Sequence, residues 1–247
     1  MLAGMSVDYY ARMERGNLSG VSAEVLDALG RALHLDDAEL AHLHDLARNA
    51  APSGPARKRP RAASPTIRPA LQRLLDSISA PAYISNARKD FLAVNPIGRA
   101  VFSPILDDAA NQRNNARFTF FNPAAQNFYA DWEAGANSII ASLRVEAGRN
   151  PHDKELTDLI GELVTRSDIF RMRWAAHDVR FHRSGSKRIH HPEVGDLEFD
   201  YEALELPADV GLVMFTMTPT TDTPTEERLR LLGSLSASPA EITEATA

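Results

Sequence analysis

Residues 50–66 hold four prolines (Pro52, Pro55, Pro60, Pro65), four cations (Arg57, Lys58, Arg59, Arg61) and otherwise only small residues. Such a stretch has nothing to bury, and its prolines keep it extended, so it reads as an interdomain linker. The 247-residue chain therefore divides into a short segment over 1–49, the linker over 50–66, a larger domain over 67–235 and a small, polar, disordered tail over 236–247. With 44% apolar content the larger part can bury a core of its own. Cysteine is absent, which removes disulfides, thiolate metal sites and cysteine nucleophiles together. No apolar run approaches the roughly 20 residues of a membrane helix, and the start MLAGMSVDYY has neither the basic nor the apolar region of a signal peptide. These features predict a soluble, cytoplasmic protein.

Charge is unevenly spread. Residues 1–49 carry eight acids and four arginines, residues 50–66 carry four cations and no acid, and the whole chain sums to −6. A strongly positive nucleic-acid footprint is missing from most of the chain, although the linker offers one local basic patch.

Periodicity gives the elements. Ser6 is placed to cap a helix over Val7–Arg15 that Gly16 ends, and Ser22 one whose Val25, Leu26, Leu29 and Leu33 form a stripe. Asp36 and Glu39 make a capping box for a third, with Leu40, Leu43 and Ala47 on one face. Beyond the linker, 67–78 reads as helical, AYISN and FLAVN as a strand pair, and 96–102 as a helix. Asp131 caps an amphipathic helix carrying Trp132, Ala136, Ile139, Ile140, Leu143 and Ala147. Asn150–Pro151 starts the next, with Leu156, Leu159, Ile160, Leu163 and Val164 together. Three strands follow: KRIHHP, LEFDYEALEL, and VGLVMFTMTP, whose nearly unbroken apolar run suits a central strand. A helix over 225–235 closes the domain.

The string LAGMSVDYYARMERGN resembles the turn and recognition helix of XRE-type helix-turn-helix domains. In that pattern Gly4 makes the turn and Met5, Tyr10 and Met13 face the core. Ser6, Val7, Asp8, Tyr9 and Arg12 would then face the DNA major groove or its phosphates. The plainer reading is an ordinary capped amphipathic helix, which Asp8 beside phosphates favours. Domains of this type place a first helix and most of a second before the "LAG", whereas this chain begins one residue before it. The expectation is an incomplete scaffold, through a missed upstream start or a weakened DNA-binding unit.

The second part resembles the MmyB-like ligand-binding domain of bacterial transcription regulators over residues 67–235. The resemblance is carried by FFNPAAQNFYADWE, LRVEAGRNP, LVTRSDIFRMRWAAHDVR and KRIHHPEVGDLEFDYEALELP. It implies an all-α partial helix-turn-helix domain followed by an α+β PAS-like domain with an antiparallel sheet. It further implies a small lipophilic, fatty-acid-like ligand, operator DNA as partner, and a homodimer. Asn95, Phe118, Phe121, Trp132, Trp174, His177 and Arg180 are the expected ligand-binding residues, with Arg117 a further candidate for a carboxylate head. Val94 stands where relatives often carry tryptophan, which would alter ligand shape if that position lines the pocket. The plainer reading of the many aromatic rings is that they fill a core.

Neither histidine pair is spaced to chelate. His42 and His44 lie two apart on a helix, and His190 and His191 are adjacent on a strand, so each pair points to different faces. With no nucleophile elbow, Gly-rich phosphate loop or HExxH, no enzyme, metal or cofactor is indicated. Two main readings follow, a ligand-responsive DNA-binding regulator or a small-molecule-binding or interaction module that has lost DNA binding; a hydrolase built around His177 and Asp178 is a remote third.

Overall fold

A computed structural model describes residues 6–15, 21–35, 39–40, 43–44, 46–47, 67–176 and 184–236. The linker, Gly4, Met5, Gly16, Asp36 of the capping box and the tail beyond Ser236 lie outside the described residues.

In the first segment, helix α1 spans Val7–Glu14, with Ser6 Oγ accepting the Tyr9 N–H at 3.2 Å. Helix α2 spans Ala23–Leu33, capped by Ser22. Leu26 and Leu29 are buried as expected. Gly30 packs so tightly on Leu40 that a Cβ would sit 2.6 Å from its Cδ1, so a larger residue there would require the Leu40 side chain to shift. Leu33 departs from the expected stripe and is 51% exposed. His34, in the left-handed conformation (φ 55°), ends the helix immediately after it, and no described element covers that last turn.

The larger domain is built on a five-stranded antiparallel sheet in the order β2-β1-β5-β4-β3. Strands β1 (Ala82–Asn86) and β2 (Phe91–Val94) form a hairpin; β3 (Ser184–His191), β4 (Gly195–Glu205) and β5 (Leu212–Pro219) follow late in the chain. The apolar run of β5 is central, between β1 and β4. Strand β3 begins three residues before the expected KRIHHP, because its backbone already pairs Ser184 with Glu202. That ladder does not depend on apolar side chains.

Helices cover both faces. Helix α3 (Pro69–Asp76) buries Leu71 and Leu75 against Ala82, Ile84 and Met214. On the other, inner face lie α4 (Pro96–Val101), α5 (Ser103–Leu106), α6 (Asn115–Phe121), α7 (Ala125–Phe128) and the closing α11 (Thr225–Ser236). The short helices between 103 and 128 span too few turns to leave a readable period. Helix α8 (Trp132–Arg149) is capped by Asp131, whose Oδ1 accepts the Ala134 N–H at 2.9 Å. Its Ile139, Ile140 and Leu143 pack on Leu156, Leu159 and Leu163 of α9 (Lys154–Arg166) and on Phe170 of α10 (Asp168–Ala175). Helix α9 starts at Lys154 rather than at Pro151, because Asp153 Oδ1 takes the Leu156 N–H at 3.1 Å and so supplies the cap.

Candidate functional site: a cavity between sheet and helix

A cavity of about 450 Å³ lies between the inner face of the sheet and α8. All five strands reach it. Tyr83, Phe91, Phe215 and Met217 form its apolar floor, Tyr83 stacking on Phe215 at 5.0 Å between centroids. The roof is one face of α8, where Ala134, Gly135, Ser138 and Ser142 recur at helical spacing. Four small side chains in that row leave the space unfilled. The opening lies where Asp131, Ala134 and Gly185 are exposed.

Two lysines line this apolar space. Lys187 stands on β3 opposite the fully buried Phe199, on the same face as the buried Ile189 and His191. Its Nζ lies 4.7 Å from the centroid of the Tyr129 ring, within cation–π range. Lys89 sits in the β1–β2 turn with φ 69°, a left-handed conformation that β-carbon-bearing residues seldom adopt. The turn is tied down around it. Asp90 accepts from Asn86 at 2.8 Å and from Asn114 at 2.7 Å and pairs with Arg88 at 3.1 Å, while the Lys89 carbonyl accepts the Asn115 N–H at 2.9 Å.

Among the described residues neither ammonium has a hydrogen bond or ion pair to a carboxylate. Both lysines are half-buried, and their apolar surroundings pull both down to about 8, countered for Lys89 by the field of Glu146. Burial also pushes the hydroxyls of Tyr83 and Tyr129 up, so both stay neutral; Tyr129 donates to Asn115 Oδ1 at 2.6 Å. The arrangement is an apolar chamber with two cations and few competing anions, which suits an amphiphilic anion.

The described residues among those expected to bind ligand do not line this cavity. Asn95 is fully buried but caps α4: its Oδ1 accepts from the N–H groups of Gly98 (2.8 Å) and Ala82 (3.0 Å), and its Nδ2 donates to the carbonyls of Ile78 and Ala80 (both 2.8 Å). No polar atom is left over for a ligand. Phe118 is a core ring against Phe128 and Tyr129, and Phe121 lies under the Arg166 guanidinium. Trp132 donates Nε1–H to the Thr119 carbonyl at 3.1 Å. Trp174 stacks on Phe170, with the Arg144 guanidinium 4.8 Å from its centroid. None of these lines the cavity, and neither does Val94. Arg117 pairs with Glu162 at 2.9 Å. His177, Asp178 and Arg180 lie outside the described residues.

The lysines went unnoticed in the sequence, yet a signal was there. Lysine supplies only four of the 27 basic residues (Lys58, Lys89, Lys154, Lys187), and Lys187 falls in the inward register of a strand.

His190 and His191 do face opposite ways. His190 is exposed and pairs with Asp196, while His191 is buried, with Nε2 on the Ala100 carbonyl at 3.2 Å and Nδ1 accepting the Glu193 N–H at 3.3 Å. Among the described residues no group of three or more acidic or histidine side chains is placed to hold a metal ion. No described helix is long and apolar enough to cross a membrane.

On α1, Ser6 is committed to its cap, and Asp8 and Arg12 are exposed, four residues apart on one face. The Arg12 guanidinium lies 5.8 Å from the Tyr9 ring centroid. The Val7 side chain lies outside the described residues. Met13 is buried and Tyr10 is half-buried, hydrogen-bonded to Glu14, which raises its pKa.

A five-stranded sheet and a helix enclosing a partly open cavity define an α+β ligand-binding domain. Residues 67–232 match the family model of the MmyB-like transcription regulator ligand binding domain, and the chain belongs to that family. No curated protein matches it.

Proposed function

We propose that this protein is a ligand-responsive, non-enzymatic, cytoplasmic transcription regulator. The cavity receives a small lipophilic molecule of fatty-acid-like character, and the helices of residues 6–47 meet operator DNA. The reading is carried above all by the cavity, an apolar volume in the usual range for ligand sites with two lysines free to meet an anionic head. The ligand alters DNA affinity by binding two arrangements of a homodimer unequally, since equal affinity for both would shift nothing. The exposed Arg12 and half-buried Tyr9 are suited to phosphate and groove contact.

The exposed Asp8 on the same helix face favours a second reading, a binding module without DNA affinity. Gel shifts of the purified chain on the DNA upstream of its own coding sequence, with and without dodecanoate, decide between them. The regulator reading expects a salt-dependent complex whose stability changes at least fivefold with ligand. Absence of any complex, with dodecanoate still bound, leaves the module alone standing. Sedimentation with and without DNA should show a dimer.

A further inference from the structure

The two lysines enter the cavity from opposite sides of the sheet. Lys89 is carried by the turn after β1, at one edge, and Lys187 by β3, the strand at the other edge. From β1 to β3 the sheet order counts three strand spacings, on the order of 14 Å between backbones. Between them lies the aromatic floor and the small-residue face of α8. A ligand with one charged head could sit against one ammonium and would leave the other, half-buried, without an anion.

Internal compensation is spent elsewhere. Asp131, the one carboxylate among the described lining residues, is exposed and caps α8. Asp90, beside Lys89 in sequence, is taken up by Arg88, Asn86 and Asn114. Glu146, whose field reaches Lys89, is bound to Arg149 at 3.5 Å and to Asn150 at 3.4 Å. Arg188, also at the lining, is exposed on the strand face turned away from Ile189. Among the described residues the net charge facing the chamber is therefore positive, from the two edges of the sheet. The choice of lysine matters too: this chain meets most needs for cations with arginine, and places two of its four lysines here. A lysine ammonium is a point charge on a flexible stem that can follow a terminal acid group.

We infer that the cavity is built for an elongated dianion, an apolar body with an acid group at each end, one received by Lys187 and the other by Lys89. This rests on the reading of the cavity as a ligand site and narrows the ligand class within it, from lipophilic acids to those charged at both ends, such as α,ω-dicarboxylates. The apolar middle contributes burial against Tyr83, Phe215 and Met217, and the two ends contribute selectivity, because a one-headed competitor leaves one half-buried cation without an anion.

The test is calorimetric titration of the full chain at pH 7 with three probes of equal carbon number: dodecanedioate, dodecanoate and dodecyl phosphate. Dodecanedioate should bind at least tenfold more tightly than either of the others. Lys187→Met and Lys89→Met should each erase that advantage, leaving dodecanedioate and dodecanoate within about twofold of one another. Lys187→Gln and Lys89→Gln, which keep polarity and lose charge, should do the same, with melting curves showing that the variants are folded. Dodecanoate binding as well as or better than dodecanedioate overturns the inference and leaves the lipophilic-ligand reading intact. Preference for dodecyl phosphate also overturns it, by putting both charges on one head. Failure of all three probes to bind overturns both readings together.

Discussion

Helix α8 has two faces that differ in side-chain size and polarity. One presents Ile140 and Leu143 to Leu156, Leu159, Leu163 and Phe170 and makes a closed core. The other presents Ala134, Gly135, Ser138 and Ser142 to the sheet and leaves about 450 Å³ open. The same backbone, capped by the same Asp131, thus supports packing on one side and a chamber on the other. Interiors are close-packed by default, so an unfilled volume bounded by a regular row of small residues is a feature of the sequence and not an accident of the fold.

The comparison breaks most readily on the packed face. Leu143 is fully buried there, and Leu143→Ala should cost about 2–5 kcal/mol of stability through lost burial and the cavity left behind. Denaturant unfolding measures it; a loss under 1 kcal/mol would mean that this face is not close-packed. Next in size comes Asn95, a polar side chain with four partners and no exposure. Asn95→Ala should cost about 2–4 kcal/mol, since buried donors and acceptors lose their partners, while the folded fraction keeps its ligand affinity. An affinity loss beyond about threefold at unchanged fold would return Asn95 to the ligand site.

Asn95 also shows what the sequence could and could not disclose. An asparagine before Pro96 reads equally well as a helix cap or as a polar group in a pocket, and only the positions of the Ile78 and Ala80 carbonyls decide. The strand pair 82–94, the central β5 and the caps at Ser6, Ser22 and Asp131 were legible because alternation, apolar runs and capping residues are local signals. Cavity walls are not local. Of the phenylalanine and tryptophan rings, Phe91 and Phe215 reach the chamber, while Phe118, Trp132 and Trp174 fill cores, and burial pattern alone cannot separate the two fates. The apolar period of α8 drew attention to Ile140 and Leu143, whereas most of the cavity face is written in the gaps of that period, at Gly135, Ser138 and Ser142, with Ile139 touching both sides.

Filling those gaps sharpens the contrast. Ser138→Leu adds side-chain volume to the roof, where Ser138 is only half-buried and faces the chamber. Ligand affinity should fall at least a hundredfold, about 2.7 kcal/mol, while the melting temperature of the ligand-free protein holds or rises, because serine is the poorer helix former and the new side chain gains apolar contact. The equivalent enlargement on the packed face, Ala136→Leu at a fully buried site, should instead destabilise by about 1–3 kcal/mol through overpacking. Equal stability losses for both variants would show that the chamber closes around α8 in solution.

The effect that reports most directly on the chamber is the titration of its two cations. Lys89 and Lys187 are held near 8 by burial in the folded protein, whereas in the unfolded chain a lysine releases its proton near 10.4. Between those values the unfolded state binds more protons, so the ligand-free protein should gain stability as pH rises from about 8 toward 9.5. Above about 10, Tyr83 and Tyr129 work in the opposite sense, since burial raises both and their ionisation on unfolding then favours the unfolded chain. Ligand affinity should follow the reverse course and fall through pH 8, as the ammonium groups that meet the anion are lost. With only four lysines in the chain, reductive methylation with a carbon-13 label gives few enough signals to follow each one, the Lys89→Met and Lys187→Met proteins supplying the assignments. The Lys89 and Lys187 signals should titrate around pH 8 in the free protein and move upward when dodecanedioate is added. Midpoints near 10.4 without ligand would mean that water reaches both ammonium groups freely, and the small-residue face of α8 would then bound a solvent-filled groove instead of an apolar chamber.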